Sequence, residues 1–188
     1  YDTPQYVTLT EDGLLVGLSY FSLDVVLAQD GSLVSSQESD SLTDSGSLSD
    51  NKWVSAVGDT LYLAQTDEQG NVNGLLQMQL DGSNGAKKKE VLPFSQDSYS
   101  SAYFSVLGDG TVYAADADGF FRCDAGDTNW QKLLQGIDTG FSLSDQWCRD
   151  IVALSDGSVY AWFGSESGDK IMIYRYDPDA VTEVTEEL

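Results

Sequence analysis

The chain has 188 residues, with 31 acidic and 9 basic side chains, a net charge of −22 and no histidine. Because binding to nucleic-acid phosphates needs clustered Lys and Arg, this charge argues against nucleic acid as a partner. The absence of histidine excludes imidazole-based triads, dyads and acid–base steps. A hydrophobic fraction of 41% indicates a folded domain. No run approaches the ~18 apolar residues of a membrane span, so we expect no membrane insertion.

Short apolar runs rich in Val, Leu, Tyr and Phe follow one another along the chain, separated by Asp-Gly, Gly-Asp and Ser-rich turns. Runs of this length between such turns are typical of strands, and no window keeps a helical periodicity. The sequence therefore predicts an all-β fold.

A recurring turn divides the chain into four units, and its first residues lie 46, 51 and 47 positions apart. An apolar run precedes and follows each turn, which predicts a hairpin in every unit. An Asp-Gly pair favours the positive φ angles of a two-residue type I′ turn. The four turns are Asp12-Gly13, Gly58-Asp59, Asp109-Gly110 and Asp156-Gly157.

A second signature predicts a third strand in each unit. In the last three units it reads apolar, long polar, apolar, Asp, which buries its first and third residues and turns Gln79, Arg122 or Arg175 to the other face. The Asp is expected to cap the next turn with its side chain. These aspartates are Asp30, Asp81, Asp124 and Asp177. A fourth apolar run follows, so each unit is predicted to be a four-stranded antiparallel meander.

The units make up a single predicted domain, residues 1–188, with no clear internal boundary. Their approximate limits are 1–40, 50–95, 100–136 and 145–188. The Ser- and Asp-rich segment 35–51 is predicted to be a solvated loop between units. The segment from Asp81 to Lys89 is predicted to be another loop, and its three lysines are expected to serve solubility.

Units of about 47 residues that contain an Asp-Gly-[Thr/Ser]-Val-Tyr hairpin resemble β-propeller blades. The hairpin is complete at Asp109–Tyr113 and at Asp156–Tyr160. The ends of the chain, from Pro4 to Leu9 and from Arg175 to Leu188, resemble the propeller-like N-terminal region of extracellular solute-binding lipoproteins of Gram-positive bacteria. This resemblance implies a β-propeller-like fold and an extracellular setting, with no catalytic motif to carry over. A closed four-bladed ring and part of a larger propeller both remain open.

The candidate ligand-binding residues lie near the starts of two predicted inner strands. One run combines an aromatic ring, a cation and an anion within five residues, a set that can stack on and hydrogen-bond a sugar or a peptide. The alternative is that Trp147 packs between blades and that Arg149 pairs with an acid. The candidates are Tyr99, Tyr103, Gln146, Trp147, Arg149 and Asp150.

Two Asp-containing turns offer oxygen ligands for Ca²⁺, one with Asp116 and Asp118, the other with Asp67 and Asn71. Neither completes an EF-hand loop, and both are also explained as tight turns that use Asp for local backbone geometry. The two cysteines, Cys123 and Cys148, can be free thiols or one disulfide.

The sequence predicts a non-catalytic binding or scaffolding module of a secreted or cell-surface protein that needs no cofactor. The expected partners are a protein or glycan at the propeller mouth, further blades, or a downstream solute-binding domain. The alternative is a carbohydrate-active or calcium-dependent propeller that binds or hydrolyses glycans.

Overall fold

The structure is a computed structural model that describes residues 6–10, 13–19, 22–27, 29–38, 47–69, 71–81, 85–94, 102–116, 119–133, 146–165, 171–177 and 180–183. Every regular element in this part of the chain is a β-strand, which confirms the predicted all-β class. Among the described residues there is no helix with the length and apolarity needed to cross a membrane.

The strands form four antiparallel sheets, each built from four consecutive strands in sequence order. Sheet 1 contains β1 (Tyr6–Leu9), β2 (Leu14–Leu18), β3 (Ser22–Leu27) and β4 (Leu33–Glu38). Sheet 2 contains β5 (Ser47–Val57), β6 (Thr60–Thr66), β7 (Val72–Asp81) and β8 (Gly85–Pro93). Sheet 3 contains β9 (Tyr103–Val106), β10 (Val112–Asp116), β11 (Gly119–Cys123) and β12 (Gln131–Leu133). Sheet 4 contains β13 (Gln146–Ala153), β14 (Val159–Ser165), β15 (Ile171–Asp177) and β16 (Ala180–Glu183).

The chain divides into two compact units, Tyr1–Ser95 with sheets 1 and 2 and Gln96–Leu188 with sheets 3 and 4. The core of unit 1 is aliphatic. It is made of Leu14, Val16, Leu18, Leu23 and Val25 from sheet 1 with Leu61, Leu63, Leu76, Met78 and Leu80 from sheet 2. Alternation along β2 and β3 supplies the sheet 1 side of this core, because every second residue points to the same face.

The core of unit 2 is more aromatic. It joins Tyr113, Ala115 and Phe120 of sheet 3 to Ile151, Val159, Ala161, Tyr174 and Tyr176 of sheet 4. The Phe120 and Tyr176 rings stack across the two sheets, with centroids 6.3 Å apart. Aromatic pairs at this separation add to the free energy of burial, so this contact helps to hold sheet 4 on sheet 3.

Three of the four recurring turns differ from the predicted two-residue type I′ turn. In unit 2, the Leu107 N–H donates to the Thr111 carbonyl and the Gly110 N–H donates to the Leu107 carbonyl, which leaves three residues in the loop. Leu154 to Ser158 and Thr10 to Leu14 repeat this pattern. Such loops pair a type I turn with one left-handed residue, and that residue is the glycine of each Asp-Gly pair, with φ of 79° to 89°. The prediction was wrong here because the residue before each Asp-Gly pair also belongs to the loop, which makes it one residue longer.

The predicted two-residue loop is confirmed at Gly58-Asp59, where Val57 pairs directly with Thr60. Gly58 has a φ of 57°, which fits the left-handed first position of a type I′ turn. The tighter loop of sheet 2 thus occurs at the one recurring pair that reads Gly-Asp rather than Asp-Gly.

Turn aspartates use their carboxylates on nearby backbone, as the sequence predicts for Asp30. Asp30 Oδ1 accepts hydrogen bonds from the Ser32 hydroxyl and N–H at 2.6 and 2.9 Å. These bonds lower the pKa of Asp30. Asp124 behaves differently, because its carboxylate binds Arg122. Asp127 instead caps the turn between β11 and β12, accepting from the Thr128 N–H at 2.7 Å.

Two predicted loops are shorter in the structure than the sequence indicates. Strand β4 runs to Glu38 and β5 begins at Ser47, so strands occupy both ends of segment 35–51. Segment Asp81–Lys89 is mostly the end of β7 and the start of β8, with Lys87 opposite Gln79 and Lys88 opposite Met78. Polar composition suggested loops, but strand pairing uses backbone N–H and C=O groups, which polar residues supply as well as apolar ones.

Candidate ligand-binding site

The candidate residues fall on the first strands of the two sheets of unit 2. Tyr103 begins β9, and Gln146, Trp147, Arg149 and Asp150 lie on β13. Tyr99 lies outside the described residues.

Strands β9 and β13 contact each other. The Ala153 N–H of β13 donates a 2.9 Å hydrogen bond to Ser105 Oγ of β9. The structure therefore brings together the two strands that carry the candidates.

Tyr103 and Asp150 occupy the same position in their units, six residues before the aspartate of the following turn. Tyr103 is half-buried and packs against the unit 2 core. Asp150 is exposed, and its Oδ1 accepts the Ile151 N–H at 2.8 Å. The pair contributes one aromatic side chain at the start of β9 and one anionic side chain in the middle of β13.

A β-bulge interrupts β13 within the candidate run. Cys148 pairs with Phe163 and Asp150 with Trp162, which leaves Arg149 as an extra residue in the ladder. A bulge bends its strand and changes the direction of the side chains beside it, and bulges are frequent near binding sites. The side chains of Gln146, Trp147, Cys148 and Arg149 lie outside the described ones, so their predicted contacts with a ligand stay predictions.

Arg122 occupies a structural position closer to the Asp-Gly turn of sheet 3. Its Nε and Nη2 bind Asp124 Oδ1 at 2.8 and 2.7 Å, and its guanidinium carbon lies 5.9 Å from the centre of the Tyr113 ring. Burial lowers the pKa of Arg122, but Tyr113, Asp124 and Tyr176 together raise it by a larger amount. Both side chains of the Arg122–Asp124 ion pair are well exposed, so it contributes at most about 1 kcal/mol to stability.

Of the first proposed calcium site, Asp116 ends β10 opposite Gly119 and is 1% exposed, while Asp118 lies outside the described residues. In the second, Asp67 Oδ1 accepts the N–H groups of Gln69 and Asn71, both at 2.9 Å, which is the turn role considered from sequence. Within the described ranges, no three His, Cys, Asp or Glu side chains are grouped closely enough to hold a metal ion. Calcium binding by Asp116 and Asp118 stays a prediction.

Cys123 carries a free, buried thiol. Its Sγ lies 3.5 Å from the Asp127 carbonyl oxygen. Burial, together with the negative charges of Asp127 and Asp124, raises the pKa of this thiol. A thiol that stays protonated is a poor nucleophile, so Cys123 fits a structural role.

Comparisons with known proteins identify a fold but no family. No protein-family model matches the chain, and no curated protein is significantly similar to it. Among solved structures, the N-terminal domain of Nup159 matches with a TM-score of 0.58 and 15% identity, over 95% of this chain and 46% of that one. The extracellular domain of a putative one-component system from B. thetaiotaomicron matches with a TM-score of 0.57 and 12% identity, over 95% of this chain and 21% of that one.

Regucalcin from Agrobacterium tumefaciens, described as a calcium-binding protein, matches with a TM-score of 0.52 and 14% identity, over 96% of this chain and 60% of that one. The chain thus spans less than two thirds of each of these three proteins. Identities this low carry fold and not activity. The protein is all-β with the fold of a β-propeller, represented here by four antiparallel four-stranded blades.

Proposed function

We propose that this chain is a non-catalytic binding module of a secreted or cell-surface protein, and that it binds a glycan or a peptide beside β9 and β13. The observation that carries this proposal is the contact between these two strands. It unites candidates that are 47 residues apart in sequence, Tyr103 and Asp150.

The chemistry of these two side chains suits a polar ligand with hydroxyl or amide groups. Tyr103 offers an aromatic surface and Asp150 an exposed carboxylate, and aromatic rings with a few polar groups are the usual means of holding a sugar ring or an extended peptide. The bulge at Arg149 supports the proposal, because it places the irregular part of β13 within the candidate run.

A non-catalytic role is proposed from the inventory of reactive groups. The chain has no histidine, and one of its arginines, Arg122, is held by Asp124. The Cys123 thiol is buried with a raised pKa. These observations favour ligand binding over catalysis, since a catalytic nucleophile or general acid–base group must be accessible to the substrate and must have a suitable pKa.

The biological setting is proposed from the resemblance of the chain ends to solute-binding lipoproteins. In that setting the propeller would present a ligand, or position a neighbouring transport domain, at the cell surface. The complete open reading frame tests this part: we expect a lipoprotein signal and a solute-binding domain, and a frame that encodes neither would contradict the transport setting.

Binding is tested by screening the purified chain on glycan and peptide arrays and measuring any hit by calorimetry. We expect Trp147→Ala and Arg149→Ala each to weaken binding by about tenfold or more, as the loss of one stacking or charged contact does. Arg122→Ala is the matched control, because this arginine lies closer to the Asp-Gly turn, and it should leave affinity unchanged. Unchanged affinity in both test variants, or no hit on either array, would contradict the proposed site.

A further inference from the structure

The repeat distinguishes the two faces of each sheet. In unit 1, Val16 and Leu18 of β2 share one buried cluster with Leu61 and Leu63 of β6. Residues that stand the same number of positions after the first residue of the recurring turn occupy the same repeat position. Val16 is four residues after Asp12, and Leu61 is three residues after Gly58. In every sheet, we name the face with the Val16 position the leading face and the face with the Leu61 position the trailing face. Sheet 1 therefore packs its leading face against the trailing face of sheet 2.

Unit 2 follows the same rule. Tyr113 and Ala115 of β10 stand at the repeat positions of Val16 and Leu18, and they share a buried cluster with Val159 and Ala161 of β14. Val159 stands at the repeat position of Leu61. In both units, a blade contact thus joins a leading face to a trailing face.

The trailing face of sheet 1 carries an exposed apolar row that crosses all four strands. Leu9 lies opposite Leu15, Leu15 opposite Val26, and Val26 opposite Leu33. Directly opposite residues point to the same face, so these four side chains form one row. Leu9 is 62% exposed, Leu15 36% and Leu33 63%, while Val26 is half-buried. In sheets 2 and 4, the corresponding face is covered by a neighbouring blade.

A second row on the same face carries a negative charge. Val7, which is 59% exposed, lies opposite Gly17, and Gly17 lies opposite Asp24. The Asp24 carboxylate accepts hydrogen bonds from the hydroxyls of Ser22 and Ser36. This carboxylate is therefore fixed in place on the trailing face.

Sheet 4 presents the complementary type of surface. Tyr160 and Trp162, at the repeat positions of Val16 and Leu18, lie on its leading face and are half-buried. Val152, 38% exposed, lies opposite Tyr160, and Tyr160 lies opposite Arg175. The leading face of sheet 4 thus combines apolar and aromatic side chains with a positive charge.

We propose that the trailing face of sheet 1 binds the leading face of sheet 4 from a second copy of this chain. The proposal joins the two kinds of face that pack together inside each unit, and it sets Asp24 of one copy against Arg175 of the other.

Two copies supply eight sheets, at the upper end of the ~4–8 blades of closed propellers. One copy spans 46% of the matched Nup159 domain, so two copies approach its full length. A head-to-tail contact that closes gives a dimer. This inference does not depend on the proposed ligand.

The first test measures the oligomeric state of the purified chain by sedimentation equilibrium over a range of concentrations. We expect a dimer, and we expect Leu33→Lys to raise its dissociation constant by at least about tenfold, because a charge replaces an apolar contact. Leu27→Lys is the matched control, since Leu27 is also exposed on sheet 1 but follows Val26 and points to the opposite face. It should leave the dissociation constant unchanged.

The second test exchanges the charges. Asp24→Arg and Arg175→Asp should each weaken the dimer, and an equimolar mixture of the two variants should restore it. In the mixed dimer, one interface pairs Asp24 with Arg175, and the other pairs the introduced Arg at position 24 with the introduced Asp at position 175. Far-ultraviolet circular dichroism verifies that both variants stay folded.

Three results would overturn the proposal. One is a wild-type chain that is monomeric at every concentration, which would instead indicate a blade from another polypeptide or from a longer form of this one. Another is a dimer unaffected by Leu33→Lys. The third is a mixture of folded charge variants that does not reassociate, which would show that Asp24 of one copy does not face Arg175 of the other.

Discussion

The backbone N–H of Ala153 donates a 2.9 Å hydrogen bond to the side chain of Ser105, linking the first strands of sheets 3 and 4. Both groups are partly buried. Ladder hydrogen bonds hold strands together within each sheet, but this bond joins two different sheets. It therefore helps to hold β13 against β9, the strands that carry Asp150 and Tyr103.

Ser105→Ala should lower the free energy of unfolding by about 1–2 kcal/mol, because it leaves the partly buried Ala153 N–H without its acceptor. Urea denaturation followed by tryptophan fluorescence measures the change. Ser155→Ala, at an exposed position in the following turn, is the control and should change stability by less than about 0.5 kcal/mol. Equal stability of the two variants would show that the hydrogen bond does not hold the strands together.

Gly157→Ala should destabilise the protein by about 1 kcal/mol or more, because Gly157 has a φ of 89°, a conformation that a residue with a Cβ rarely adopts. The cost is purely conformational, since an added Cβ at Gly157 meets nothing within 4 Å. Gly108→Ala is a close control in the equivalent turn of sheet 3, where there is equal space and no positive φ. Thermal unfolding of the two variants makes the comparison, and a Gly108→Ala variant as unstable as Gly157→Ala would refute the explanation.

Stability should fall as the solution becomes acidic, in part through Asp109 and Asp156. Hydrogen bonds from Thr111 lower the pKa of Asp109, and hydrogen bonds from Ser158 lower that of Asp156, each below its ordinary value of 3.8. A carboxyl group whose pKa is lowered by folding stabilises the protein above its unfolded pKa. That contribution is lost as the pH falls through the folded pKa.

The measurement compares the melting temperature of the wild type with that of the double variant Asp109→Ala/Asp156→Ala between about pH 6 and pH 2. We expect the double variant to melt lower at the upper pH and the difference to narrow toward the lower pH. A difference that stays constant would mean that the charge of these carboxylates does not contribute.

Both cysteines should titrate as thiols in the unfolded, unreduced protein, because the Cys123 thiol is free and the chain has only two cysteines. In the native protein Cys123 should react slowly with a disulfide reagent at neutral pH, since burial raises its pKa and limits access. Cys148→Ser isolates this thiol for the kinetic measurement. Absence of reactive thiols after denaturation would reveal a Cys123–Cys148 disulfide.

Much of the fold could be predicted because the repeat is encoded locally. The four turns and the third-strand signatures mark the same hairpins that the structure shows, since alternation and turn residues depend on near neighbours in the chain. The fourth strand predicted for each unit is also confirmed, in the last unit as β16, Ala180–Glu183. The negative charge is partly explained in the same way, because Asp30, Asp109 and Asp156 serve local turns.

Turn geometry and strand length could not be predicted as well. An Asp-Gly pair suits both two- and three-residue loops, and pairing of the flanking strands selects between them, as the bond from the Gly110 N–H to Leu107 shows. Lys87 and Lys88 join a strand despite their charge because β8 pairs with the long strand β7. These outcomes depend on hydrogen-bond register, which composition does not specify.

The candidate site shows the same division between local and distant information. The sequence by itself determined the all-β class, the four repeated units and the set of residues that could bind a ligand, because each of these depends on patterns a few residues long. Only the tertiary structure decided that β9 lies against β13, and that the trailing face of sheet 1 carries an exposed apolar row. Such contacts join residues far apart in the chain and are fixed by packing of whole sheets, through buried side chains such as Phe120 and Tyr176.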